Sequence, residues 1–144
     1  MYQKIGLKMA TSYSPNFNLP KRVKNRIKFI IIHYTGMKKE SVAITRLQDP
    51  KSKVSSHYLI KRNGEIINLV PDLFEAWHAG VSSCKHFKSL NKNSIGIEIT
   101  NPGHQYGYKK FSKKQICSLQ KLLNILVKKY KIKKNYVLGH SDIS

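Results

Sequence analysis

Acidic side chains are scarce in this sequence: 7 Asp and Glu stand against 27 Lys and Arg, a formal net charge of +20. Such an imbalance draws a protein toward anionic polymers such as nucleic acid or a cell envelope, more weakly at high salt. The lysines are scattered rather than gathered on one segment. The charge therefore reads as a lysine-biased composition, and no specific nucleic-acid site is expected. Cysteine is nearly absent. Cys84 and Cys117 form no metal-type pair, and they supply no disulfide framework. Cys117 falls in a helical pattern and is expected in the core, whereas Cys84 falls in a polar loop. Long apolar runs are also missing, which excludes a membrane span. Met1 to Pro20 has no signal-peptide pattern.

What is present suits one folded domain: 144 residues, of which 40% are hydrophobic. Residues 1–25 read as an extended lead-in punctuated by Pro15 and Pro20, and residues 26–144 as the domain proper. Ile27 to His33 reads as a buried strand. Glu40 to Gln48 reads as a helix with Val42, Ala43 and Leu47 on one side, ended by Asp49-Pro50. Asn63-Gly64 predicts a hairpin between Ser56–Ile60 and Glu65–Val70. Pro71 to Asn93 reads as a long loop. Ser94 to Ile99 alternates strictly, with Ile95, Ile97 and Ile99 on one face and Ser94, Gly96 and Glu98 on the other. Phe111 to Tyr130 is the clearest helix, opened by a Ser112/Gln115 capping box. A last strand covers Tyr136 to His140. Strands and helices thus alternate, an α/β pattern around one sheet.

Two of those strands end on histidine: Phe29-Ile30-Ile31-Ile32-His33 and Tyr136-Val137-Leu138-Gly139-His140. Either could be a satisfied structural residue. Together, at strand ends of an α/β sheet where ligands gather, they suggest a zinc site built across the sheet. Glu98 is the acid/base candidate, because the small side chains Ser94 and Gly96 beside it leave a ligand room to approach. The plainer alternative is a surface glutamate on a half-exposed strand. His78, in Trp77-His78-Ala79-Gly80, suits recognition of a polar sugar-peptide, or belongs to a loop that plugs the core. His57 and Tyr58 point opposite ways, so at most one faces a site. His86 and His104 lie in polar loops and are expected in solvent.

Six ordered blocks resemble the zinc-dependent N-acetylmuramoyl-L-alanine amidases of type 2, relatives of the peptidoglycan recognition proteins. They are Ile31-Ile32-His33-Tyr34-Thr35, Val54 to Ile60, Asn63-Gly64-Glu65-Ile66, Ala76 to Ser82, Asn93 to Ile99, and Gly139-His140-Ser141-Asp142-Ile143. The resemblance runs from about residue 27 to the end. It implies a mixed central sheet flanked by helices, with zinc in a surface groove. His33 and His140 would be metal ligands and Glu98 the catalytic acid/base. Trp77, His78, Tyr34 and His57 would face the substrate. The implied reaction is hydrolysis of the amide between N-acetylmuramic acid and L-alanine in peptidoglycan or muropeptides, by a monomer. The implied location is the cell envelope or periplasm, with the cytoplasm as the alternative. A catalytic zinc takes three protein ligands. The family's third, an aspartate, and a nearby lysine fall beyond Ser144, and Asp142 matches a non-ligand position. The chain as given is therefore expected to be C-terminally incomplete, to bind zinc weakly and to hydrolyse poorly. A peptidoglycan-binding module is the alternative.

Overall fold

Four apolar residues in a row make β3 a strand that can be covered on both faces, and the fold is arranged to cover it. The computed structural model describes residues 9–102, 110–139 and 142. The strands are β1 (Met9–Thr11), β2 (Phe17–Asn18), β3 (Phe29–Tyr34), β4 (Tyr58–Ile60), β5 (Ile66–Asn68), β6 (Glu75–Ala76), β7 (Ser83–Cys84), β8 (Phe87–Lys88), β9 (Ser94–Ile99) and β10 (Val137–Gly139). The helices are α1 (Glu40–Gln48) and α2 (Lys113–Tyr130). Six strands form one mixed sheet in the order β1-β5-β4-β9-β3-β10. Only the β4–β5 hairpin pairs antiparallel within it. This is the expected α/β architecture with a mixed central sheet.

Strand alternation divides the core in two. On one face Ile30, Ile60, Ile95, Ile97 and Ile99 pack under α2, which contributes Leu122, Leu126 and Tyr130. Full burial of an aliphatic side chain is worth about 1.5–3 kcal/mol, so this face is a principal source of stability. The capping box forms as the sequence predicts: Ser112 Oγ accepts from Gln115 N–H at 3.1 Å, and Gln115 Oε1 accepts from Ser112 N–H at 3.0 Å. Gln115 Nε2 also donates to Thr100 O at 2.9 Å, which ties the helix start to the end of β9. On the other face Phe29 and Ile31 pack with Ala79 and Leu90, and Leu59 packs with Leu47 of α1.

Three local expectations are corrected. Cys117 and Ile116 are exposed, because the buried stripe of α2 runs through Gln115, Leu122, Leu126 and Tyr130 and leaves positions 116 and 117 beside it. Val42 is exposed because α1 buries only Ala43 and Leu47. Pro71–Asn93 is not a structureless loop. It contains β6 and the β7–β8 hairpin, with Cys84 in β7, and it buries Ala76, Ala79 and Leu90. The lead-in is bound to the body: β1 runs parallel to β5 and β2 pairs with β6.

Candidate metal and acid/base centre

The centre lies on the sheet face turned away from α2. In the parallel β3–β9 ladder His33 is the register partner of Glu98, so the two side chains stand side by side on one face. Position 98 also pairs with Leu59 of β4, which places Glu98 in the middle of the sheet. Above it opens a cleft of about 100 Å³, lined by Thr35, Met37, Arg46, Trp77, His78 and Glu98 among others.

Glu98 is not the half-exposed surface acid that the alternation allows. Its Oε2 is buried and makes no hydrogen bond among the described residues. Burial pushes its carboxyl up to about 8, with Arg46 pulling the other way. A buried, unpaired carboxyl oxygen costs stability, and such oxygens are found where chemistry needs them.

The space over Gly96 is not open to a ligand, as the small side chains predict. The ring of His78 fills it: a Cβ on Gly96 would lie 2.4 Å from His78 Cγ. His78 is fixed at its backbone by Asn91, whose Oδ1 accepts from His78 N–H at 3.1 Å and from Ala79 N–H at 2.8 Å. Its ring nitrogens are engaged inside the protein, Nε2 with Ser94 Oγ and Nδ1 with His33 Nε2, each at 3.0 Å. His78 is half-buried and lines the cleft, with its two ring nitrogens engaged by Ser94 and His33. Asn91 and Arg46 carry no signal in the sequence, and Ser94 and Gly96 stand out there only as small neighbours of Glu98. A glycine inside a strand signals close approach of another group, and it could have located the His78 contact.

The expectation of a substrate-facing imidazole is corrected for His57. It is wholly buried. Its Nδ1 accepts from Gly96 N–H at 3.0 Å, so the proton sits on Nε2 and is donated to Phe74 O at 2.8 Å. Burial first, then the Arg22 guanidinium, lower its pKa to about 4. It is a neutral structural pin with no face for a substrate. Arg22 is buried with it and donates to the carbonyls of Leu73, Asn91, Ser94 and Asp72.

Trp77 does line the cleft. Its indole Nε1 donates to Asn18 Oδ1 at 3.0 Å, and its backbone pairs with Ser55. Strand alternation sends Tyr34 to the α2 side, where it is half-exposed in an apolar groove with Ile99, Phe111, Ile116 and Leu119. Gly139 is the register partner of Ile32, one position before His33, and its N–H donates to Asp142 Oδ2 at 2.8 Å. His140 follows Gly139 in sequence and lies outside the described residues, as does His104. Among the described residues, no group of three or more His, Cys, Asp or Glu could hold a metal ion.

A strand-edge imidazole beside a buried, proton-holding carboxyl at a cleft defines a hydrolase-type centre on a mixed α/β sheet. The chain belongs to the N-acetylmuramoyl-L-alanine amidase family, which it matches over residues 23–144. It is 38% identical over 131 residues to the N-acetylmuramoyl-L-alanine amidase AmiD of Escherichia coli, covering 83% of this chain and 46% of that protein. It is 34% identical over 149 residues to the 1,6-anhydro-N-acetylmuramyl-L-alanine amidase AmpD of Haemophilus influenzae, covering 91% and 78%. The chain thus spans about half the length of AmiD and most of that AmpD. Among solved structures it resembles E. coli AmiD in complex with the substrate anhydro-N-acetylmuramic acid-L-Ala-D-gamma-Glu-L-Lys. There the TM-score is 0.74 at 35% identity, over 88% of this chain and 52% of the other. A selenomethionine AmpD derivative gives a TM-score of 0.77 at 25% identity, over 95% and 83%.

Proposed function

We propose that this chain is a zinc-dependent amidase that hydrolyses the amide between N-acetylmuramic acid and L-alanine in peptidoglycan or its fragments. Residues 26–144 would form the catalytic domain, working as a monomer at the cell envelope. No described helix is long and apolar enough to cross a membrane. The observation that carries the reading is the pairing of His33 with Glu98, whose Oε2 is buried and makes no hydrogen bond among the described residues. A nearly buried imidazole beside such an oxygen suits a cation and an attacking water, so the residues present fit the metal. His33 and His140 would hold it. Zinc supplies Lewis acidity to the scissile carbonyl and to the water that attacks it.

The chain's own groups do the rest. Glu98 holds its proton up to about pH 8 when no cation is near, and positive charge beside it brings its pKa down toward neutrality. It can then take a proton from the attacking water and pass it to the departing amine of L-alanine. Arg46, which also favours the carboxylate, keeps that base available. Trp77 offers an aromatic wall for the sugar-peptide, and Tyr34 borders the groove on the other side of His33.

The test is incubation of the full chain with zinc and a defined anhydro-muropeptide, following free stem peptide by mass spectrometry. Release by the parent chain, lost in Glu98→Gln and in His33→Ala, is expected. Binding without release would favour a peptidoglycan-binding module. That second reading draws on the described residues, which gather no three-ligand cluster.

A further inference from the structure

We infer that His78, held by Ser94 and seated over Gly96, is a positioning residue that fixes the tautomer and orientation of the His33 imidazole. The inference deepens the reading of His33 as a metal ligand and rests on it.

Leu90 O can only accept, and Ser94 Oγ lies 2.6 Å from it, so the single hydroxyl proton of Ser94 goes there. Ser94 Oγ then has only lone pairs to offer His78 Nε2, 3.0 Å away, and Nε2 must be the protonated nitrogen of His78. A neutral His78 with its proton on Nε2 presents a lone pair at Nδ1. His33 Nε2, 3.0 Å from that lone pair, must carry a proton and donate. The remaining ring nitrogen of His33, Nδ1, is left as the basic one. A metal-ligating histidine generally spends its other N–H on an internal acceptor, which sets the tautomer and the ring plane. Here that acceptor is a second histidine, and the chain of donors ends on a backbone carbonyl.

Three further contacts show that the acceptor is built in place. Asn91 clamps the backbone at positions 78 and 79. Gly96, lacking a Cβ, supplies the volume that the ring occupies. The rings of His33 and His78 meet edge-on, with centroids 5.2 Å apart and planes at 75°. A lateral shift of His78 would turn His33 with it.

The experiment reads tautomers directly, by long-range proton–nitrogen correlation spectra of the metal-free, nitrogen-15-labelled full chain. His33 and His78 are both expected with the proton on Nε2. A wild-type spectrum with His33 protonated on Nδ1 overturns the inference, whatever any variant does. His78→Leu, which keeps volume but offers no acceptor, is expected to give a mixture of His33 tautomers and a zinc affinity about 10–100-fold lower by calorimetry. His78→Asn, which returns an oxygen acceptor near the Nδ1 position, should restore the tautomer and most of the affinity. An unchanged His33 tautomer in a folded His78→Leu protein overturns the inference. If the tautomers are as expected but His33→Ala binds zinc as the parent does, the metal-ligand reading falls and the His33–His78 pairing stands.

Discussion

Gly96 and His78 compete for one volume: any Cβ at position 96 would come within 2.4 Å of the His78 ring. The ring cannot yield cheaply, because Asn91, Ser94 and His33 hold it from three sides. Gly96→Ala is therefore expected to destabilise the fold by about 1–3 kcal/mol, the usual cost of overpacking a filled site. It should also weaken zinc binding, since His33 loses its partner. Urea denaturation and zinc calorimetry on the same preparation check both.

Glu98→Gln should lower turnover by about 10²–10⁴-fold, the worth of a positioned acid/base. Its effect on stability depends on pH. Glu98 in the metal-free fold titrates near 8, above the ordinary value of 4.5. The folded chain thus holds a proton that the unfolded chain has lost. Stability from this group is full below about 4.5 and declines as pH rises to about 8. The variant lacks that decline, so the gap between variant and parent should widen in the variant's favour from pH 5 to pH 8. Chemical denaturation of the metal-free proteins at these two values measures it.

His57 acts in the opposite sense. The folded chain keeps it neutral down to about pH 4, whereas the unfolded chain protonates near 6.5. Its contribution is complete above 6.5 and is lost on acidification toward 4, at up to about 1.4 kcal/mol per pH unit. His57→Leu should abolish that slope and cost about 1–3 kcal/mol at neutral pH, because the Gly96 N–H loses its acceptor. A pH series of thermal melts tests both points.

Trp77→Ala should raise the dissociation constant for muropeptide about tenfold, equivalent to about 1.4 kcal/mol, with zinc affinity unchanged. Asn18→Ala should move binding the same way by less, because Asn18 holds the indole through its Nε1–H. Fluorescence titration of this single tryptophan reads both variants' parent state, and calorimetry reads the alanine mutants.

Local pattern carried much of this fold. α1 spans the residues its periodicity and Asp49-Pro50 stop predict, and β9 matches its alternating run. The Asn63-Gly64 turn delivers the β4–β5 hairpin, with Gly64 at a φ of 86° that suits glycine. The α2 cap forms from the two residues that signal it. Each depends on contacts within a few positions, so each is written locally.

The candidate site divides differently. Spacing and residue type were enough to single out His33 and Glu98, since a strand ending on histidine and an acid on the small-residue side of a strand are visible in a line of text. Their adjacency came from the parallel pairing of β3 with β9, which joins residues far apart in sequence. The roles of His78 and His57 also came from packing. Alternation says which face a side chain takes, but not what covers that face. Here a loop returns an imidazole onto Gly96, and Arg22 from the lead-in closes over His57. Burial then decides charge: the same carboxyl that solvent would ionise at ordinary pH keeps its proton to about 8, because its position within the sheet costs the anion much of its solvation.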